Sequence, residues 1–278
     1  MLTGAVAVTT NAYSGYALEV ALDHVGELDG CDAVELDAID GLFTHIDPAA
    51  ITSPAYRTEV LSMLADRQLR CTAISAQRPS IVEMDDTYRP TFEGKLLLAA
   101  ELGASRVNVG SGPIGSEAAF LDRIRALLPV LDELQLTLGI ETQTPSALVH
   151  DRIGAELVKR IASARVDLNY DFGNDYFATD GHLDLAADVE ASIASIGSVH
   201  LKDAVRDAGG WRWTSITGNV VDYAAVFALL RAAPHEIAVA IELPQRMIPG
   251  TADLRPEIPS LETIDEMLAE SIDNVRRW

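Results

Sequence analysis

The chain is poor in the residues that mark stapled, membrane-inserted or polyanion-binding proteins. Among 278 residues there are two cysteines, Cys31 and Cys71. Each opens a predicted strand and neither belongs to a zinc-binding spacing, so they read as buried structural thiols rather than a disulfide framework or a thiolate metal site. No apolar run approaches the roughly 20 residues that span a bilayer. The opening residues MLTGAVAVTTNAYSG lack a basic segment and a long apolar segment, so no signal peptide is expected and the cytoplasm is the expected location. Positive charge is scarce as well. Lysine occurs only at Lys95, Lys159 and Lys202, and 21 basic residues face 42 acidic ones for a net charge of −21. Such a surface repels phosphate backbones and anionic membranes, which makes nucleic acid and membrane poor partners. Genomic base composition or a saline habitat accounts for the bulk of that bias.

What is present is ample material for one large core. Hydrophobic residues make up 48% of the chain. Apolar runs rich in Val, Ile and Ala alternate with longer segments of helical period, the pattern of strand–helix units around a parallel sheet. Eight such runs are legible: GAVAVTT, CDAVELD, CTAISA, RVNVGSG, LTLGIE, VDLNYD, SVHLKD and IAVAIE. Each is followed by a helical pattern, the last being SLETIDEMLAESIDNVRR. Eight pairs in a chain of this length predict an α/β fold, a single (β/α)8 TIM barrel over residues 1–278. No composition break marks a second domain.

Four residues close the last four strands: Glu141, Asp171, His200 and Glu242. Their spacings are 30, 29 and 42 residues. The first two equal one strand–helix unit, and the third is lengthened by VRDAGGWRWTSITGN after strand seven. Singly, each has an ordinary explanation. A glutamate can pair with an arginine, Asp171 can cap a helix, and a histidine on an apolar strand can be a satisfied core residue. Together they fall on the rim where barrels of this kind keep their chemistry. Three carboxylates gathered there beside an imidazole repel one another unless a divalent cation lies between them. Oxygen-rich ligation with one imidazole suits Mn2+, with Mg2+ or Co2+ also possible.

The order Glu, then DFGN, then HLKD, then a final Glu resembles the xylose isomerase-like superfamily. The nearest branch is the sugar phosphate isomerase/epimerase group, which includes tagatose 3-epimerase-like enzymes, inosose dehydratases and hydroxypyruvate isomerases. DAVELD, AAELGASRVNV, GIET, NYDFGN, VHLKD and VVDYAAVFALL carry the likeness over nearly the whole chain. The resemblance implies that Glu141, Asp171, His200 and Glu242 form a single-metal quartet, and that Glu141 and Glu242 also move protons on opposite faces of the substrate. It implies a small carbohydrate as substrate and, since relatives commonly self-associate, a possible homo-oligomer. The reaction so implied is isomerisation or epimerisation of a ketose or keto-cyclitol through a metal-stabilised enediolate. The alternative is a lyase, a dehydratase or β-eliminase, that starts from the same enolate.

The departures from that pattern are specific. Many relatives carry Asn and His after the strand-five glutamate, where this chain has Thr142 and Gln143, so dehydratase branches that use that histidine as a base lose support. Where epimerases often have a histidine, this chain has Asn174, which can hydrogen-bond a hydroxyl but cannot relay a proton at neutral pH. Its other reading is a helix-entry residue. Lys202 should share the face of His200 and serve as electrophile or anion contact, unless it forms only a salt bridge. Arg246 could hold a carboxylate or phosphate. Trp211 and Trp213, in the insertion, could stack on a sugar ring as a lid or form a subunit contact. Glu35, read as lying near the end of strand two, is a further substrate contact at the rim. The DNA-repair endonuclease IV shares this barrel with three metals and extra histidines on early strands, but AISA and NVGSG carry no histidine. A non-catalytic metal-binding subunit of a larger complex is the remaining class.

Overall fold

In a computed structural model of the chain, which describes residues 6–142, 151–182 and 184–278, eight strands close a parallel barrel. They are β1 (Val6–Thr9), β2 (Ala33–Ile39), β4 (Arg70–Ser75), β5 (Arg106–Gly110), β6 (Thr137–Glu141), β7 (Val166–Asp171), β8 (Ile196–Leu201) and β11 (Ala238–Ile241). Each pairs in parallel with the next, and β1 joins both β2 and β11, so the cylinder has no free edge. The barrel strands are buried almost throughout, which is why they read as apolar runs rather than alternating ones. All eight lie where the sequence places them.

Nine helices are present among the described residues. Eight are the expected partners: α1 (Leu18–Glu27), α2 (Pro54–Asp66), α3 (Arg89–Glu101), α4 (Glu117–Leu134), α5 (Asp151–Ile161), α7 (Leu185–Ser192), α8 (Tyr223–Ala232) and α9 (Leu261–Arg277). Their entries carry the expected chemistry. The side chains of Asp184, Asp222 and Ser260 accept the backbone N–H three residues on, at 3.1, 3.1 and 3.2 Å. Their inward stripes, such as Ala21, Leu22 and Val25 of α1, pack on the outer face of the barrel in one continuous core.

Three elements go beyond the predicted pattern. A ninth helix, α6 (Phe172–Ala178), starts directly at the end of β7 with Asp171 as its N-cap. The insertion after strand seven is an antiparallel hairpin, β9 (Asp203–Asp207) and β10 (Gly210–Thr214), rather than a loop. A short strand, β3 (Phe43–Thr44), returns along the end of β2 and seats Phe43 above the barrel mouth. None of the helices is long and apolar enough to cross a membrane.

Candidate metal centre

The parallel register decides which side chains meet. Asp171 is paired with His200 across β7 and β8, Ala240 of β11 is paired with His200, and Glu242 follows Ile241 with its N–H donating to Leu201 O at 3.0 Å. Glu141 closes β6 at the same height. Glu141, Asp171, His200 and Glu242 each offer one ligand atom, and these atoms lie within 4.8 Å of one another with all four residues buried. His200 Nδ1 is 2.6 Å from Glu242 Oε2 and 3.8 Å from both Glu141 Oε2 and Asp171 Oδ2.

The donor set fits a divalent cation. Asp171 Oδ2 and Glu242 Oε2 are buried and accept no well-formed hydrogen bond; each has only an ion contact at 2.6 Å, to Lys202 Nζ and His200 Nδ1 respectively. Asp171 Oδ1, by contrast, is spent on the N–H of Asn174 at 2.9 Å, which splits the carboxylate between capping and ligation. The imidazole is fixed from behind. Its Nε2 lies 3.1 and 3.2 Å from the two oxygens of Glu35, leaving Nδ1 toward the ligand atoms. Glu35 in turn accepts from Asn108 Nδ2 at 2.8 Å and from Ser75 Oγ.

Glu141 and Glu242 are held by carboxamides. Asn11 Nδ2 donates to Glu242 Oε1 at 2.9 Å, and Thr9 Oγ1 fixes the Asn11 side chain at 2.7 Å. Gln77 Nε2 donates to Glu141 Oε2, and Asn174 Nδ2 reaches Glu141 Oε1 at 3.3 Å. Lys202 Nζ, 1% exposed, stands 2.6 Å from Asp171 Oδ2 and 3.0 Å from Glu242 Oε1, and lies over the Trp213 ring at 5.6 Å. It supplies the one positive charge by which a divalent ion would fall short of three carboxylates.

Burial and charge drive the two glutamates apart. Glu141 is pushed up to about 7 by burial, with Glu242 and Asp171 adding to the rise against His200. Burial alone would raise Glu242 too, but the Lys202 ammonium and His200 hold it far below the usual carboxylate range. Burial opposes protonation of His200, yet Glu35 and Glu242 outweigh it and lift the imidazole well above its ordinary value. Without a cation, a proton takes part of the metal's role. Asp37, one layer from the centre, is raised well above the carboxylate range by burial and by Glu242 and Glu35.

Above the centre opens a cavity of about 620 Å3 whose floor includes Gln77, Glu141, Asn174, Lys202 and Glu242. Of the other residues singled out in the sequence, Glu35 does not line it. The strand β2 runs two residues past Asp37, so Glu35 sits below the rim and turns its carboxylate to His200. Arg246 donates to Arg255 O at 3.2 Å, and Trp211 packs edge-on against Phe177 at 5.2 Å with its carbonyl taken by Arg255, so both lie outside the cavity lining. Gln143 lies outside the described residues. Sequence reasoning missed Gln77, Asn169 and Asp37. The rule that found the quartet could have found Gln77, which follows the third strand at the rim, and Asn169, which shares the face of Asp171 one layer down with its Nδ2 3.2 Å from the imidazole.

Solved structures with the same fold cover nearly the whole chain. A D-psicose 3-epimerase with D-tagatose from Clostridium cellulolyticum H10 matches with a TM-score of 0.75 at 14% identity, over 99% of each chain. A xylose isomerase-like TIM barrel protein from Mycobacterium smegmatis in complex with magnesium gives 0.73 at 17% identity, over 98% of each. The probable 3-DHS dehydratase from Bacillus anthracis gives 0.70 at 16% identity, over 98% of this chain and 99% of its own. No curated protein matches the chain. The model of the xylose isomerase-like TIM barrel family matches residues 22–267, and the chain belongs to that family.

Proposed function

We propose that the chain is a divalent-metal-dependent isomerase or epimerase that moves a proton beside the carbonyl of a ketose or keto-cyclitol. The observation that carries this reading is the convergence of Glu141, Asp171, His200 and Glu242 on one buried point, with two glutamates that differ in their hold on a proton. Glu141, Asp171, His200 Nδ1 and Glu242 would hold the metal, and the oxygen-rich set with one imidazole favours Mn2+ over softer ions. Such an ion supplies Lewis acidity, weakening the C–H bond next to a chelated carbonyl and offsetting the charge that develops on the substrate.

The remaining work falls to this chain's own side chains. Of Glu242, oriented by Asn11, and Glu141, oriented by Gln77 and Asn174, one takes the substrate proton and the other returns one. The two glutamates stand on strands separated by β7 and β8, so they approach a bound sugar from different directions. Lys202 Nζ sits close enough to both Asp171 and Glu242 to steady a developing oxyanion. Asn174, which lines the cavity, would bond a substrate hydroxyl. Epimerases among the solved structures of this fold are consistent with the reading; a dehydratase among them keeps a lyase as its alternative.

The test is incubation of Mn2+-loaded protein with a panel of ketoses in D2O. Deuterium entering a carbon next to the carbonyl is the expected result. A new ultraviolet-absorbing enone would assign the lyase reaction instead, and no exchange across the panel would remove the isomerase reading.

A further inference from the structure

The cavity is larger than a simple sugar requires. A six-carbon ketose has twelve heavy atoms, and even at a water molecule's share of liquid volume, about 30 Å3 each, it fills only about 360 Å3. The cavity holds about 620 Å3. Its buried ionisable groups are also gathered at one end. Gln77, Glu141, Lys202 and Glu242 are buried at the floor, whereas the upper wall is built by Ile39, Leu42 and Phe43 on one side and by Pro79 and Met247 on the others. A sugar hydroxyl against that wall would leave water and find no partner, which is unfavourable.

The carboxylates at the mouth do not repair this. Asp40 is engaged by Lys95 Nζ at 2.9 Å and Tyr88 Oη at 2.6 Å, and Glu83 accepts from Ser80 Oγ at 2.7 Å. Arg78, exposed beside Pro79, adds a planar cation of the kind that stacks on aromatic rings. Leu42 and Met247 are half-exposed, so this apolar wall stands open above a polar floor.

We infer that the upper part of the cavity is a second subsite that takes an apolar group, an aryl or alkyl aglycone, attached to the sugar seated on the floor. The inference rests on the proposed sugar chemistry for its orientation, since the reacting carbonyl must face Glu141 and Glu242. The substrate class is then a keto-sugar glycoside rather than a free monosaccharide.

The subsite is tested by binding, with probes that cannot react. Methyl and phenyl glycosides of glucose, galactose and xylose are titrated calorimetrically into the full chain loaded with Mn2+. The phenyl glycoside of at least one sugar should bind about tenfold tighter than its methyl counterpart. Leu42→Asn and Met247→Asn, each at a half-exposed position that the fold tolerates, should narrow that ratio to about threefold or less. Equal affinities for each pair, binding of neither, or a ratio unmoved by both substitutions would overturn the subsite. Deuterium exchange into ketoses and into keto-sugar glycosides, run in parallel, reports separately on the isomerase reading. Exchange without aglycone preference removes the subsite alone, and aglycone preference without exchange removes the isomerase alone.

Discussion

The barrel gathers charge at both of its ends, and the two groups differ in how that charge is satisfied. At the amino-terminal end, Arg106 of β5 meets Asp167 of β7 in a two-pronged pair, its Nη2 2.9 Å from Oδ2 and its Nη1 on Oδ1. Gly139 and Gly197 leave room for that pair; a Cβ at Gly197 would overlap both the Asp167 carboxylate and the guanidinium. Charge there is matched one to one. At the carboxyl-terminal rim, Glu141, Asp171 and Glu242 outnumber their cations, two carboxylate oxygens have no well-formed hydrogen bond, and titrations are displaced in both directions. A closed pair contributes to folding and is complete in itself. An uncancelled set is costly to bury and becomes reasonable only when something else arrives to complete it. The contrast is between a rim poised for chemistry and an amino-terminal end built for stability, as the barrel architecture leads one to expect.

The sharpest way to break that contrast is to disable the rim while leaving its shape in place. Glu242→Gln should lower deuterium exchange by about 10²- to 10⁴-fold, the range associated with losing a positioned acid–base group. Glu141→Gln should behave similarly. Exchange at wild-type rate in either variant would remove that residue from proton transfer. A second variant acts one step behind the ligands. Glu35→Gln removes the carboxylate that fixes the His200 ring and should weaken Mn2+ binding by about 10- to 100-fold, measured by calorimetry. Unchanged affinity would show that Glu35 does not orient the ligand.

Proton competition gives a third test. In the metal-free chain the raised values of His200 and Glu141 mean that both hold protons near neutrality, and a metal must displace them. Apparent Mn2+ affinity should therefore rise with pH through about 7 and fall below it, by up to about tenfold per pH unit for each proton released. Calorimetry in two buffers of different ionisation enthalpy counts those protons. Affinity that is flat from pH 6 to 8 would contradict the arrangement. At the amino-terminal end, Arg106→Ala should cost about 1–3 kcal/mol of stability by stranding Asp167, with Mn2+ affinity within about twofold of the unaltered chain. A loss of metal binding there would erase the division between the two ends.

How much of this was legible in the sequence depended on how directly a residue's position follows from strand length. Glu141, Asp171 and Glu242 stand at or just past the apolar end of a buried strand, where run length alone places them at the rim. Glu35 lies one layer lower than its apolar run implies because β2 continues through Ala38 and Ile39 into the turn before β3, and two added residues drop an inward side chain below the mouth. The helix α6 escaped because Asp171 both ends a strand and caps a helix, leaving no linker to mark the change of period. The hairpin of β9 and β10 has strands of five residues carrying Asp, Arg and Gly, too short and too charged to show alternation. That hairpin turns Trp211 onto Tyr176 and Phe177 rather than toward a substrate.

The smallest expected effect concerns Asp37, which lies between the rim and the body of the barrel. It accepts the N–H of Asn11 at 2.7 Å and the hydroxyl of Thr10 at 3.1 Å, and burial beside Glu242 and Glu35 keeps it protonated well above the normal carboxylate range. A carboxyl whose folded value is raised binds its proton more tightly in the native than in the unfolded chain. The native state is therefore favoured at low pH relative to high, and stability drains away as pH climbs from the ordinary carboxylate value toward the raised one. Asparagine has nearly the shape of the protonated acid and no charge to expose, so Asp37→Asn should flatten that decline. The midpoint of thermal unfolding should rise by a few degrees at pH 8, about 1 kcal/mol or less, with little change at pH 5. An Asp37→Asn chain that is less stable at pH 8 than the unaltered chain would mean that Asp37 is ionised in the native state and that its negative charge belongs with the rim.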